Sequence, residues 1–154
     1  MKRQMYILVA MWLVVVPLTA QIDLIPKPLS VVRGNGQFTL GPTVVVDLPE
    51  NMPEGSRTII EQFASDLQQY GNRTVRYASA DAHLKVALAT GFEAEEYSLV
   101  VTGSTISIAF AQPAGLFYAL QTLRRMLPPG ISAGRQVEAG ASWSVPACTI
   151  ADKP

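Results

Sequence analysis

The residues of this sequence that could carry out chemistry are few and lie far apart. His83 is the single histidine and Cys148 the single cysteine, whereas nucleophilic catalysis needs a nucleophile activated by a neighbouring base. A zinc site needs three or four convergent ligands, and a disulfide within the chain needs a second cysteine. We therefore predict that His83 is a surface or strand-edge residue and that this chain holds no catalytic, cofactor-binding or metal-binding residue.

Two further patterns could be mistaken for sites. The stretch EAEEY groups Glu93, Glu95 and Glu96, and paired carboxylates cleave glycosidic bonds in many enzymes, but we interpret this cluster as a solvated turn before a hairpin. Gly115 lies in the first turn of a helix after a strand, yet PAGLFYA lacks the further glycines and the Lys-Ser/Thr of phosphate-binding loops. We interpret Gly115 as a packing residue that lets the helix approach the hairpin closely.

The first 20 residues have the three regions of a secretory signal peptide. Lys2 and Arg3 precede an apolar run over residues 5–16, and Pro17 and small residues lead to Ala20. The run meets Pro17 before it reaches the roughly 20 apolar residues of a membrane-spanning helix. We predict cleavage after Ala20 and a secreted or periplasmic product that no longer associates with the membrane.

The charge of the mature chain argues against nucleic-acid binding. Twelve Lys and Arg balance twelve Asp and Glu in the whole sequence, and cleavage removes Lys2 and Arg3 but no acid. No basic cluster remains that could attract nucleic acid or an anionic membrane, and Arg124 and Arg125 are interpreted as a solvated helix end. The mature chain is long enough for one domain with its own core.

Two amphipathic helices are predicted. The first covers residues 56–70, with Ser56 as its N-cap and Gly71 as its terminator. Its apolar face is formed by Ile59, Ile60, Phe63, Leu67 and Tyr70. The second begins near Pro113 and stops at Pro128, Pro129 and Gly130. Its apolar stripe is formed by Leu116, Leu120, Leu123 and Leu127, with Phe117 beside it.

Short strands separate and precede these helices. Alternating or β-branched runs predict strands at residues 37–40, 43–47, 75–77, 84–89, 97–101 and 105–110. The last two flank Gly103 and Ser104 in the pattern of a β-hairpin. The order predicts a two-layer α+β domain in which both helices cover one face of a mixed β-sheet. From residue 131 to 143 the composition turns to Gly, Ala and Ser, and we interpret this tail as a hairpin-like loop or connector with too few apolar residues for another layer.

Four segments together resemble the zincin-like N-terminal domain of glycoside hydrolase family 20, the β-N-acetylhexosaminidases. They are IPKP, EEYSLVVTGSTISIAF, AGLFYALQTLRRML and VPACTIADKP, which follow one another in family order. The most specific pieces are AGLFY with QTL, and Ile150-x-Asp152-x-Pro154. Glu96 departs from the glycine that usually precedes the tyrosine in this family. Together with the signal peptide predicted over 1–20, the resemblance implies the family domain over 21–130 and, over 131–154, a connector toward a catalytic (β/α)8 barrel.

The resemblance also implies that the catalytic residues lie in that barrel. In this family the acetamido oxygen of the substrate attacks the anomeric carbon while an acid protonates the leaving group, and the barrel supplies an adjacent Asp-Glu pair. This sequence contains no Asp-Glu dipeptide, so no catalytic residue is carried over. The expected partner is the barrel, the glycan substrate is reached only through it, and no cofactor is implied.

Two hypotheses of different class follow, and in both the chain alone is expected to be inactive. In the first, the chain is the non-catalytic N-terminal domain of a secreted β-N-acetylhexosaminidase, either as a fragment or as a natural truncation. In the second, it is a stand-alone secreted, non-enzymatic α+β module that binds a glycan or a protein partner. The end of the sequence within a family motif favours the first hypothesis.

Overall fold

The domain consists of one β-sheet with helices packed against it. The computed structural model describes residues 24–154, and the predicted signal peptide lies outside them. The strands are β1 (Ser30–Thr39), β2 (Thr43–Asp47), β3 (Thr74–Tyr77), β4 (Leu84–Leu88), β5 (Tyr97–Val101), β6 (Ile106–Phe110) and β7 (Ser144–Asp152). The helices are α1 (Ser56–Gln69), α2 (Pro113–Met126) and the short α3 (Pro129–Ala133).

The sheet is mixed, with strand order β1-β7-β5-β6-β4-β2-β3. Strands β1, β7, β5 and β6 pair antiparallel, whereas β6, β4, β2 and β3 pair parallel. The predicted hairpin is β5–β6, in which Leu99 lies opposite Ile108 and Val101 opposite Ile106. Because side chains alternate across a strand, these residues share one buried face, as predicted.

Helices α1 and α2 cover that buried face. The predicted leucine stripe of α2 is fully buried, whereas the buried face of α1 is centred on Ile60, Phe63 and Leu67, with Ile59 and Tyr70 at its border. Helix α2 contacts β5 and β6, and α1 contacts α2 and β3. The predicted two-layer α+β fold with both helices on one face of a mixed sheet is therefore confirmed, with α3 as an addition.

The opposite face of the sheet, called the open sheet face below, carries shorter and more polar side chains. Along each strand, the residues of this face alternate with the buried residues of the other face. These positions include Val32, Lys85, Ala87, Ser98, Ala109, Thr149 and Ala151, all exposed or half-buried. The contrast in burial between the two faces shows which side of the sheet forms the core.

The two ends of α1 differ from the prediction. Gly55, not Ser56, occupies the N-cap, with a φ of 85° that favours glycine, and Ser56 is the first helical residue. At the other end the left-handed conformation falls on Asn72, with a φ of 50°. Gly71 is needed for a different reason, since a Cβ there would collide with the Trp143 ring.

The predicted connector over 131–154 requires correction at its C-terminal part. Residues 134–143 are irregular, as expected, but Ser144–Asp152 form β7, which lies inside the sheet between β1 and β5. Val145, Cys148 and Ile150 are buried there. Residues well beyond position 130 therefore belong to the sheet.

Candidate functional site

The acidic cluster is a surface turn, as the sequence predicts. Glu93 and Glu95 are exposed and Glu96 is half-buried. The Glu93 N–H donates to the Glu96 carboxylate at 2.9 Å, and Lys153 forms an ion pair with Glu93. The Glu96 carboxylate thus closes the turn, and Glu93 pairs with Lys153 at the surface.

Gly115 lets α2 touch this turn. Its N–H donates to the carbonyl of Ala94 at 3.1 Å, and a Cβ at this position would collide with the Glu96 carbonyl oxygen. The close approach of backbone to backbone explains the glycine. The packing interpretation of Gly115 is therefore confirmed.

His83 lies directly before β4, but it is half-buried and has a specific partner. Its Nδ1 accepts a hydrogen bond from the Val45 N–H at 3.1 Å. Its own backbone N–H donates to the Val45 carbonyl, and its carbonyl accepts from the Ile106 N–H, both at 2.8 Å. The His83 side chain thus links β2 to the start of β4 by a hydrogen bond. Its role is structural.

Cys148 is buried on β7, and burial raises the pKa of its thiol. A raised pKa keeps the sulfur protonated and unreactive at neutral pH. Across residues 24–154, no three side chains of His, Cys, Asp or Glu converge in a way that could hold a metal ion. Within that same range no helix is both long and apolar enough to span a bilayer.

The outer side of α2 forms a ridge between two clefts. The first, the α1/α2 cleft, has a volume of about 500 Å³. The second, the α2/N-terminal cleft, has a volume of about 300 Å³ and lies between α2 and the segment Leu24, Ile25 and Pro26. Phe117 and Gln121 line both clefts and form the ridge.

Arg124 lies at the base of the α1/α2 cleft, contrary to the prediction of a solvated helix end. It is only 7% exposed. Its Nη2 donates to the Asp66 carboxylate at 2.5 Å, and its guanidinium lies 5.2 Å from the centre of the Phe63 ring. Only Arg125 is exposed as predicted. The pair Asp66–Arg124 links α1 to α2 across the cleft.

A second polar cluster closes the α2/N-terminal cleft. The Tyr97 hydroxyl and the Thr122 hydroxyl share a hydrogen bond of 2.7 Å, and the Asp152 carboxylate accepts the Leu29 N–H at 3.0 Å. Burial raises the pKa of Tyr97, and the negative charge of Asp152 raises it further. Asp152 and Pro154 both line this cleft.

One feature of the sequence indicates that Arg124 is buried, and our prediction did not use it. Arg124 follows Leu120 by four residues and Leu116 by eight, so it lies along the same helical face as the buried stripe. The partner Asp66 is 58 residues away in the chain, and no local pattern indicates it.

The structure therefore defines a two-layer α+β domain with two clefts beside α2, in which Asp66 and Glu93 form ion pairs and Glu96 closes a turn. The chain belongs to glycosyl hydrolase family 20, because the family model for "Glycosyl hydrolase family 20, domain 2" matches residues 21–153. This match confirms the resemblance to the accessory domain. Among curated proteins, no significant match was found.

Solved structures of complete enzymes contain the same fold. The chain is 26% identical to the Streptomyces plicatus N-acetyl-β-hexosaminidase, with a TM-score of 0.71. It is also 26% identical to the GH20 β-N-acetylhexosaminidase of Streptomyces coelicolor A3(2), again with a TM-score of 0.71. In both comparisons the alignment covers 84% of this chain and 26% of the other. The β-N-acetylhexosaminidase of Bacteroides fragilis, at 22% identity and a TM-score of 0.63, shares the fold over 82% of this chain and 24% of its own.

This chain thus spans about a quarter of the length of the solved enzymes that it matches. The shared part is the accessory domain.

Proposed function

We propose that this chain is the non-catalytic N-terminal domain of a secreted β-N-acetylhexosaminidase, an enzyme that removes terminal N-acetylhexosamine residues from glycans. The observation that carries the proposal is the family match over residues 21–153. The solved hexosaminidases with the same domain fold support it. Fold alone does not imply function, so the specific family match carries more weight than the shape of the domain.

The proposed role is structural support of a catalytic barrel. The resemblance places the acid and the adjacent aspartate of family 20 in the barrel, and residues 1–154 contain no Asp-Glu dipeptide. In the described residues the acidic side chains at 93 and 96 close a turn, and Asp66 pairs with Arg124. None of these carboxylates is arranged to flank a scissile bond.

Export is part of the proposal and rests on residues 1–20. A basic start, a short apolar run and small residues before Gln21 are the features of a cleaved signal. Expression with the native start followed by N-terminal sequencing tests it. The mature product should begin at Gln21, and intact Met1 in a membrane fraction would contradict it.

Enzymatic assays test the function itself. Purified residues 21–154 should not hydrolyse an aryl N-acetylglucosaminide, whereas a chain continued through a family 20 barrel should. Glu95→Gln serves as a control in both forms, because the exposed Glu95 has no role in the proposed reaction. Turnover by the fragment that Glu95→Gln abolishes would show that the acidic cluster is catalytic and that the proposal is wrong.

A further inference from the structure

The outer strand β1 contains a short interruption of its pairing with β7. The register pairs Arg33 and Gln37 with β7 and leaves the residues between them, 34–36, opposite the single residue Ala147. An insertion of this kind is a β-bulge, whose extra residues leave the regular ladder. Because β1 is the first strand in the order of the sheet, this β1 bulge lies at a free edge, next to Val32 of the open sheet face.

The β1 bulge presents an Asn-Gly sequence to solvent. Asn35 and its neighbours Gly34 and Gly36 are all exposed. Gly36 has a φ of 87°, and a Cβ built on it would meet no atom within 4 Å. Glycine adopts this conformation without a steric penalty. The backbone nitrogen of Gly36 therefore lies outside the ladder, in open space, and has no side chain beside it.

We propose that Asn35 is a site of spontaneous deamidation. The backbone nitrogen of Gly36 attacks Cγ of Asn35, and the new C–N bond closes a five-membered succinimide ring. The bond from Cγ to the side-chain nitrogen breaks, and that nitrogen takes up the proton lost by Gly36 and leaves as ammonia. Water then opens the ring at either of its two carbonyl groups, which leaves aspartate or isoaspartate at position 35. Because the reaction needs only water, this modification is independent of the proposed function.

The β1 bulge can accommodate both products. Each carries a carboxylate that is ionised at neutral pH, so the free edge of the sheet gains one negative charge beside Arg33. Isoaspartate also lengthens the main chain, because the former side-chain carbon becomes part of the backbone. Residues 34–36 have no partner in the β7 register, so no ladder pair has to be broken. We therefore expect the domain to remain folded after the modification.

The two other asparagines provide internal controls. Asn51 and Asn72 are both exposed, so exposure alone does not distinguish Asn35. Asn51 is followed by Met52, whose side chain crowds the attacking nitrogen. Asn72 is followed by Arg73, whose backbone N–H donates to the Leu67 carbonyl at 3.1 Å. The nitrogen that would have to attack Asn72 is therefore already held in a hydrogen bond.

Incubation of the purified chain at mildly alkaline pH tests the proposal, with circular dichroism to show that it is folded. Peptide mapping by mass spectrometry follows the conversion of each asparagine, and a protein isoaspartyl methyltransferase reports isoaspartate. Asn35 should react at least about tenfold faster than Asn51 and Asn72. Its rate in the folded chain should lie within about threefold of its rate in guanidinium chloride. A folded rate more than about tenfold below the unfolded rate would overturn the proposal, because it would show that the strand blocks the attack.

Two variants separate the effect of structure from that of the Asn-Gly sequence. Asn35→Gln should remove most of the isoaspartate, because glutamine would have to close a larger ring, and isoaspartate that persists would place the modification elsewhere. Arg73→Gly gives Asn72 the same following residue as Asn35, while the backbone hydrogen bond to Leu67 can still form. In the folded variant Asn72 should remain at least about tenfold slower than Asn35, whereas in guanidinium chloride the two rates should converge. Equal rates in the folded variant would show that the β1 bulge does not select the site.

Discussion

The neighbouring residues Arg124 and Arg125 provide a matched pair for testing the structure. Replacing Arg124 by alanine removes a hydrogen bond of 2.5 Å to the Asp66 carboxylate and the contact with the Phe63 ring. Replacing Arg125, which is exposed and has no ion pair in the described residues, removes an exposed side chain from the same helical turn. The two variants lose the same helix-terminal charge, so their difference isolates the buried contacts.

The expected magnitude follows from the burial of the pair. A hydrogen bond to a charged group contributes about 1.5 to 3 kcal/mol, and breaking a fully buried pair costs about 3 to 5 kcal/mol. The Asp66 side chain is 16% exposed, so water can partly solvate the carboxylate left behind. We expect Arg124→Ala to lower the free energy of unfolding by about 2 to 3 kcal/mol and Arg125→Ala to change it by about 0.5 kcal/mol or less.

Urea titration of residues 21–154, followed by circular dichroism, measures both changes. With a denaturant slope of about 2 kcal/mol/M, the midpoint should fall by about 1 M for Arg124→Ala and barely move for Arg125→Ala. In an Asp66→Ala background, Arg124→Ala should cost clearly less, because its partner is gone. Equal midpoints for the two arginine variants would show that the Asp66–Arg124 pair does not form in solution.

Three other changes test the packing and the buried thiol. Leu120→Ala, at the centre of the fully buried α2 stripe, should destabilise by about 2 to 5 kcal/mol in the same titration, and an unchanged midpoint would place the stripe outside the core. Gly115→Ala should cost about 1 to 3 kcal/mol through overpacking, whereas Gly103→Ala, which meets no atom within 4 Å, should be close to neutral; equal effects would deny the close contact with the turn. Because burial raises the pKa of Cys148 above its ordinary value of 9.0, the unfolded chain ionises first, and stability should be unaffected well below pH 9 and decline as the pH rises above it. Cys148→Ala should lessen this decline between pH 8 and about pH 10, and an identical decline would exclude Cys148 as a cause.

The elements with strong periodicity could be predicted from the sequence. The leucine stripe of α2 and the alternation of β5 and β6 follow from local spacing alone, and all of these residues are buried in the structure. Strand β7 could not be found in this way. Its small side chains and Pro146 give a weak local signal, and it becomes a central strand only by pairing with β1 and β5, which are distant in the chain.

The two clefts beside α2 were harder to predict for a related reason. A helical face shows which residues point toward the core, but the identity of a buried ion's partner depends on how two helices pack. Arg124 and Arg125 are identical in type and adjacent in sequence, yet only Arg124 faces α1. The clefts on either side of α2 are lined by residues that lie far apart in the chain, such as Leu24 and Pro154, so no local pattern can reveal them.

Glu96 shows how a departure from the family pattern is tolerated. A glycine before the tyrosine would be required if this position had a positive φ, but the non-glycine residues with positive φ in the described chain are Asn72 and Asp81. Glu96 thus has a backbone conformation that any residue can adopt, and its carboxylate closes the turn by accepting the Glu93 N–H. The position that requires a glycine is the facing residue, Gly115, because a Cβ there would collide with the Glu96 carbonyl oxygen. The contact between the hairpin and α2 therefore depends on the absence of a side chain at Gly115, and position 96 contributes its backbone carbonyl to that contact.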